Sequence, residues 1–325
     1  YLPRGPIPAG SAAAMAARLA AVTDWLGGHG IDVVASDAEV PAATGYGRLL
    51  SDLGYRPIEE IQPSRHRYSL PLGQGADADA VFSGIARSTR QRIRAAERDG
   101  IRVARYDAIA NAAQAVRPDG RATGAATNGA GDGGQPAPSA PGAPGDPDFD
   151  APPNPLAEAL DRFYDLLLAT GERRQFTFGP RDRFLDWWRS AYAAGLLVLL
   201  EARTPDGAPI AGLVLYRHGG RLTTAHSADD AGTRRANPGA LHLLRWRAIQ
   251  LAIREGRAEM DLGGVDLPGA RREPRPGEAT YGLAEHKRAF GATWLELAGA
   301  HERVLRPRRY AAGRAIARLA RTVGP

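Results

Sequence analysis

The chain has 325 residues, 43% of them apolar, and carries 42 Lys and Arg against 36 Asp and Glu for a net charge of +6. That length accommodates about two domains of ordinary size, and the absence of cysteine excludes disulfides, thiolate metal sites and a cysteine nucleophile. A pI of about 9.9 points to polyanionic partners: nucleic acid, phosphorylated substrates or an anionic membrane surface.

In chain order, 11–26 (SAAAMAARLAAVTDWL) predicts a helix stopped by Gly27 and Gly28, 31–35 a short strand, 43–53 a short helix, and 66–72 an alternating strand. Over 79–99, Phe82, Ile85, Thr89, Ile93 and Ala96 fall at helical spacing on one face. Arg87, Arg90, Arg94 and Arg98 fall on another, and a strand follows at 101–106. Between 108 and 155 the composition collapses to Ala, Gly, Pro, Asp and Ser, too poor in apolar area to offset ordering entropy, so it reads as a disordered linker or insertion. Helices are expected at 156–170 and 181–194, then strands at 196–202, 209–217 and 221–227 joined by TPDG and HGG turns as an antiparallel meander. A helix at 239–255, the strand AEMDLGG, a helix at 280–290 and the strand TWLELAG follow. The apolar run at 196–200 is strand-sized, no run reaches membrane-spanning length, and no charged-then-apolar leader opens the chain. The expectation is a cytoplasmic protein, with possible peripheral contact at the inner face of the membrane.

Of the 42 basic residues only Lys287 is a lysine. In a composition this rich in Ala, Gly, Pro and Arg, a surface lysine is readily exchanged for arginine. One that persists is either a survivor on a solvated face or a group doing what guanidinium cannot. Ammonium is a compact point charge with a movable pKa, whereas guanidinium is a wide, always-charged fork.

The element order of a three-strand meander, helix, strand, helix and strand resembles a GNAT acyltransferase core. Several blocks also resemble the Fem-type peptidoglycan bridge-forming aminoacyltransferases: YLPRGPI (1–7), GYRPIEEIQPSRHRYSLPL (54–72), STRQRIRAAERDGIRV (88–103), ATGERRQF (169–176), the run at 237–256, MDLGG (260–264) and GLAEHKRAFG (282–291). The resemblance implies an α/β fold with mixed sheets and two tandem GNAT-like domains, the first truncated at its N-terminus. On that basis 1–107 is the first domain, 108–155 the insertion, 156–302 the second domain and 303–325 a basic C-terminal helix. The resemblance also implies transfer of an amino acid from aminoacyl-tRNA, as co-substrate, to an amine of a peptidoglycan precursor stem peptide on lipid II or its UDP-linked form. His286 departs from the family pattern, which has Phe immediately before the lysine.

The resemblance places Lys287 at the substrate site. Aminolysis of an ester builds an oxyanion, and a positioned cation lowers that barrier; a phosphate contact is the alternative role. Arg173 matches the family's arginine and would take a phosphate or carboxylate, or else end a solvated helix. Asp261 closes a strand before two glycines, where a carboxylate either orients the attacking amine and accepts its proton or caps the turn. Tyr281 and His286 are further substrate-binding candidates, with core packing as the alternative. Arg90 and Arg94 lie on the stripe suited to phosphate backbone. The seven arginines of 303–323, with Ile316, Leu319 and Val323 on another helical side, suit an anionic membrane or tRNA. Asn237-Pro238-Gly239-Ala240 opens the helix where coenzyme A-using GNAT proteins present backbone N–H groups to pyrophosphate. Pro238 stands where a glycine is usual, which argues against that donor. The sequence holds no Gly-x-Ser-x-Gly elbow, Walker loop or His-Glu-x-x-His, so neither a metal nor a cofactor is expected. The alternatives to aminoacyl transfer are an N-acyltransferase using acyl-CoA or another activated donor, and a non-catalytic Arg-rich RNA- or membrane-binding protein.

Overall fold

The computed structural model describes all residues except 6–9, 61–65, 111–147, 175–176, 266–271 and 324–325. Along the chain the main elements are α1 (Ala12–Gly28), β1 (Val33–Ser36), α2 (Tyr46–Asp52), β2 (Arg56–Pro57), β3 (Arg67–Pro71), α3 (Ala78–Gly84), α4 (Arg87–Arg98) and β4 (Arg102–Asp107). They continue with α5 (Leu156–Arg174), α6 (Arg181–Ala193), β5 (Leu197–Arg203), β6 (Pro209–His218), β7 (Arg221–Asp229), α7 (Ala240–Arg254) and β8 (Glu259–Asp261). The last are α8 (Tyr281–Arg288), β9 (Thr293–Leu295), β10 (His301–Val304) and α9 (Pro307–Val323).

These elements form two compact units. One comprises residues 1–68, 264–286 and 293–325, the other 69–263 and 287–292. The division therefore departs from the expected boundary at 107: α4 and β4 belong to the second unit. The physical reason is pairing. β4 runs antiparallel to β5 along its whole length, from Arg102↔Arg203 to Asp107↔Val198.

In the first unit, Ser11 accepts the Ala14 N–H at 3.2 Å and starts α1. Met15, Ala16 and Leu19 of α1 pack on Tyr46 and Leu50 of α2 and on Tyr55. A small antiparallel sheet in the order β1-β10-β2 carries the chain onward to α9. Tyr310 of α9 donates to Glu302 Oε1 at 2.9 Å, and the Arg306 guanidinium reaches Asp32 at 3.4 Å. A cavity of about 450 Å³ in this unit is lined by Arg56, Ile58, Glu59, Glu302, Tyr310 and Arg314 among others.

In the second unit the sheet order is β4-β5-β6-β7-β8-β3. The meander β5–β6–β7 is antiparallel, whereas β7 and β8 are parallel. Leu160, Phe163, Tyr164 and Leu167 of α5, with Leu185 and Trp188 of α6, cover one face over Tyr106, Leu197, Leu199 and Val214. Fully burying each such side chain stabilises by about 1.5–3 kcal/mol. The amphipathic α7 packs on β5 and β6 and also on α4.

The expected single helix over 79–99 is two. Ile85 is extended (ψ 141°) and almost fully buried, and the Ala86 N–H bonds to the Ala289 carbonyl at 2.8 Å. That tertiary contact overrides helix continuation. Asp77 caps the first piece, accepting the Ala80 N–H at 3.1 Å. The predicted strand at 293–299 shortens to Thr293–Leu295.

Most of the expected disordered stretch lies outside the described residues, but its C-terminal end is anchored. The Asp150 N–H bonds to the Val103 carbonyl at 2.8 Å. Phe149 lies between the guanidinium groups of Arg105 and Arg254, at 5.5 and 5.2 Å from its ring centre. Beside it sits a buried ion network: Arg217 donates to Asp107 Oδ2 at 2.6 Å and to Glu255 Oε1 at 2.5 Å, and Arg105 Nε to Asp107 at 3.0 Å.

Candidate functional site

Within the second unit the parallel pair β7–β8 holds together only from Arg221↔Glu259 to Thr223↔Asp261. β8 then ends while β7 runs on to Asp229, so the two strands fork. At the fork β7 is bulged. Leu215 pairs with Thr224 and Val214 with His226, leaving Ala225 as the extra residue. A bulge re-aims the strand and interrupts its ladder.

The chain leaves β8 through a turn whose geometry belongs to glycine. Gly263 sits at φ +79°, and its N–H bonds to Asp261 Oδ1 at 2.8 Å. Asp261, 3% exposed, thus spends one carboxylate oxygen on the turn. A Cβ at position 263 would lie 3.4 Å from Lys287 Nζ and 3.4 Å from the Thr224 carbonyl oxygen. The ammonium therefore stands at the fork, against the bare Cα of Gly263 and beside the backbone of the bulged strand. Lys287 is 5% exposed and sits in the last turn of α8. Burying a charge costs free energy unless it is matched by dipoles or an opposite charge. Its position distinguishes it from a surface survivor.

His226, on β7 just past the bulge, is walled by Phe178, Phe184 and Trp188, with ring centres 5.9–6.2 Å away. Burial pushes its pKa down to about 4, so the ring is neutral near pH 7.

The other candidates have positions and contacts of their own. Arg173, at the end of α5, donates to Asp229 Oδ1 at 2.9 Å and to the Asp229 carbonyl at 3.1 Å, so it ties α5 to the far end of β7. Arg90 donates to the carbonyls of Ser83 and Ile85 and closes the end of α3, while Arg94 stacks 5.3 Å over Phe82. Tyr281 opens α8 and is half-buried, and His286 is half-buried on the same helix. The structure thus brings together Lys287 and Asp261, through Gly263, and adds the Thr224 carbonyl, which sequence reading did not single out. Among the described residues no three His, Asp or Glu side chains converge as a metal site.

Residues 147–288 match the family model of an acetyltransferase (GNAT) domain. The crystal structure of FemX superposes with a TM-score of 0.69 over 95% of this chain and 81% of that one, at 15% sequence identity. The chain has a Fem-type GNAT fold. A conserved protein of unknown function from Bacteroides thetaiotaomicron VPI-5482 superposes with a TM-score of 0.50 at 11% identity, covering 89% of this chain and 74% of that one. No curated protein matches the sequence. The GNAT domain match spans β5 to β8 and ends at Arg288, the residue after Lys287. No helix among the described residues is long and apolar enough to cross a membrane.

Proposed function

We propose that this protein is an aminoacyltransferase, moving an amino acid from aminoacyl-tRNA to an amine of a peptidoglycan precursor stem peptide by direct aminolysis. The observation that carries the reading is the buried Lys287 ammonium at the β7–β8 fork, 3.4 Å from where a Gly263 Cβ would stand. The acceptor amine attacks the ester carbonyl, a C–N bond forms, and the carbonyl oxygen becomes an oxyanion. Lys287 stabilises that oxyanion. Such a donor contributes about 3 kcal/mol to the barrier, or 10²–10³ in rate. Collapse breaks the ester C–O bond and the amine proton leaves with the ribose oxygen. Asp261 is a positioning residue: it fixes the turn that keeps Gly263 bare against the ammonium. His226, with a pKa of about 4, is too weak a base to take a proton from an ammonium near neutral pH and forms an aromatic wall instead.

Two further features support this donor over coenzyme A. The FemX likeness covers nearly the whole chain. The first turn of α7, where a GNAT protein would cradle pyrophosphate, is packed under α4: a Cβ on Gly239 would lie 2.4 Å from the Arg92 carbonyl oxygen. Lipid II or its UDP-linked form is the proposed acceptor, and the basic α9, with Ile316 67% exposed, is a peripheral contact for the anionic membrane that carries it. The test offers radiolabelled aminoacyl-tRNA and acetyl-CoA in parallel with a stem-peptide acceptor. Transfer from the tRNA, reduced at least about 100-fold in Lys287→Ala, is expected. Transfer from acetyl-CoA alone overturns the reading.

A further inference from the structure

The most heavily buried cation among the described residues of the second unit is not used by this mechanism. Arg245, on the second turn of α7, is 4% exposed, and its Nε and Nη1 are buried without any hydrogen-bond partner. Its guanidinium lies 5.9 Å over the ring of Phe290. Burial alone pulls its pKa down to about 10, and no carboxylate contributes to hold it up. His242, one turn earlier on α7, stacks on the same Phe290 ring at 6.2 Å. Arg92 of α4 reaches His242 with Nη1 3.3 Å from Nε2, so the imidazole accepts there and is neutral. Desolvation is the main cause of the low pKa of His242, about 4, and Arg92 and Arg245 both add to it. Three nitrogen-bearing side chains thus stand together: Arg92 exposed at the rim, His242 within and Arg245 deepest.

A buried, unpaired guanidinium is costly, and buried charges in proteins are ordinarily matched. Here no carboxylate among the described residues supplies the matching charge. Gly239 makes the arrangement possible: lacking a Cβ, it lets α7 approach the Arg92 carbonyl and brings the α4 arginine alongside the first turn of α7.

We propose that Arg245, His242 and Arg92 form a binding site for a phosphoryl group of a substrate. The site is formed by side chains between α4 and α7, not by a backbone cradle. Arginine forks suit a tetrahedral oxyanion. Resting on the proposed aminoacyl transfer, the phosphoryl group is either a phosphodiester near the 3′ end of the RNA donor or the diphosphate of a nucleotide-linked acceptor.

Inorganic pyrophosphate is the first probe, titrated into the full chain by calorimetry and thermal shift, with no transfer reaction needed. Pyrophosphate is expected to bind and raise the melting temperature. Arg245→Met is expected to weaken binding by about tenfold or more, as loss of a charge-assisted contact does, while its own melting temperature stays equal or rises because an unmatched buried cation has been replaced by an apolar group. Should Arg245→Met fail to fold, the exposed Arg92→Ala serves, with weakened binding at unchanged stability. Lys287→Ala is expected to bind pyrophosphate as the wild type does. Binding lost in Lys287→Ala but kept in Arg245→Met and Arg92→Ala overturns the site, as does no binding at all. An RNA minihelix and UDP, each competed against pyrophosphate, distinguish the two sources, and competition by coenzyme A but by neither of these would count against the donor proposed above while leaving the site standing.

Discussion

Gly239→Ala tests the contact on which both the donor argument and the phosphoryl site rest. Gly239 sits at φ −92° and ψ −11°, a conformation open to any L-residue. Alanine there restricts the unfolded chain, and by that effect alone it would stabilise by about 0.4–1 kcal/mol. The packing reverses the sign. The new Cβ would stand 2.4 Å from the Arg92 carbonyl oxygen and 2.9 Å from the Ala96 Cβ. A carbon and a carbonyl oxygen come no closer than about 3.3 Å in ordinary contacts, so α4 and α7 must part by nearly an ångström. The nearer atom is backbone and cannot swing aside. Overpacking of this kind costs about 1–3 kcal/mol, which leaves a net loss of about 1–2 kcal/mol once the entropy gain is subtracted. Urea titration and thermal unfolding read it directly, with a fall of about 2–4 °C in Tm for each kcal/mol. The displaced Arg92 should also weaken pyrophosphate binding. A Gly239→Ala protein as stable as the wild type, or more so, would falsify the packing of α4 on α7, and with it the covered first turn.

Four further outcomes follow from the same structure. Lys287→Arg keeps the charge but cannot fit a planar fork against Gly263, so transfer is expected to fall about as far as in Lys287→Ala, 10²–10³-fold, with Tm within a few degrees; full activity would return Lys287 to the surface-survivor reading. Gly263→Ala forces a side chain into φ +79°, costing about 1–2 kcal/mol, and by shifting the wall beside the ammonium it lowers kcat more than it raises KM. His226 has its folded pKa lowered to about 4 from 6.5. The unfolded state therefore takes up the proton first, so stability is full above about pH 6.5 and falls by up to about 3 kcal/mol as pH drops to 4; His226→Phe should flatten part of that decline in pH-dependent urea titrations, and an unchanged slope would refute the burial. Asp107 opposes its own burial through bonds to Arg217 and Arg105, which bring its pKa below the usual carboxylate range. Its stabilisation is present above about pH 4 and lost as pH falls through the lower folded value, and Asp107→Asn, which leaves Glu255 as the remaining carboxylate beside the buried Arg217 and Arg105, should cost about 3 kcal/mol.

The parts of the molecule legible in the sequence are those set by local pattern. The meander was readable because TPDG and HGG turns separate apolar runs. α7 was readable because Gly239 and Gly256 bracket a periodic stretch, and Lys287 stood out because composition isolates it. What sequence hides is whatever two distant segments decide jointly. The bulge at Ala225 exists only in the register of β7 against β6, so neither His226 nor the Thr224 carbonyl announces itself within RLTTAHS. The aromatic wall of His226 is assembled from Phe178, in the segment before α6, and from Phe184 and Trp188 of α6.

Arginine is the instructive case. In this chain an exposed stripe on α4 draws the eye, yet Arg90 and Arg94 are occupied with a helix end and a phenylalanine. Arg245 lies in the apolar run LHLLRWRAIQLA and reads there as one polar position of an amphipathic helix. Its burial is set by Phe290, some forty-five positions on, and by its neighbours on the facing α4. An abundant residue type carries no signal by its presence. It acquires one when packing removes water from it and the chain supplies no anion in return. Burial lifts Lys287 out of the surface, and burial together with two unbonded nitrogens lifts Arg245 out of the 42 basic residues, on geometry that composition cannot express.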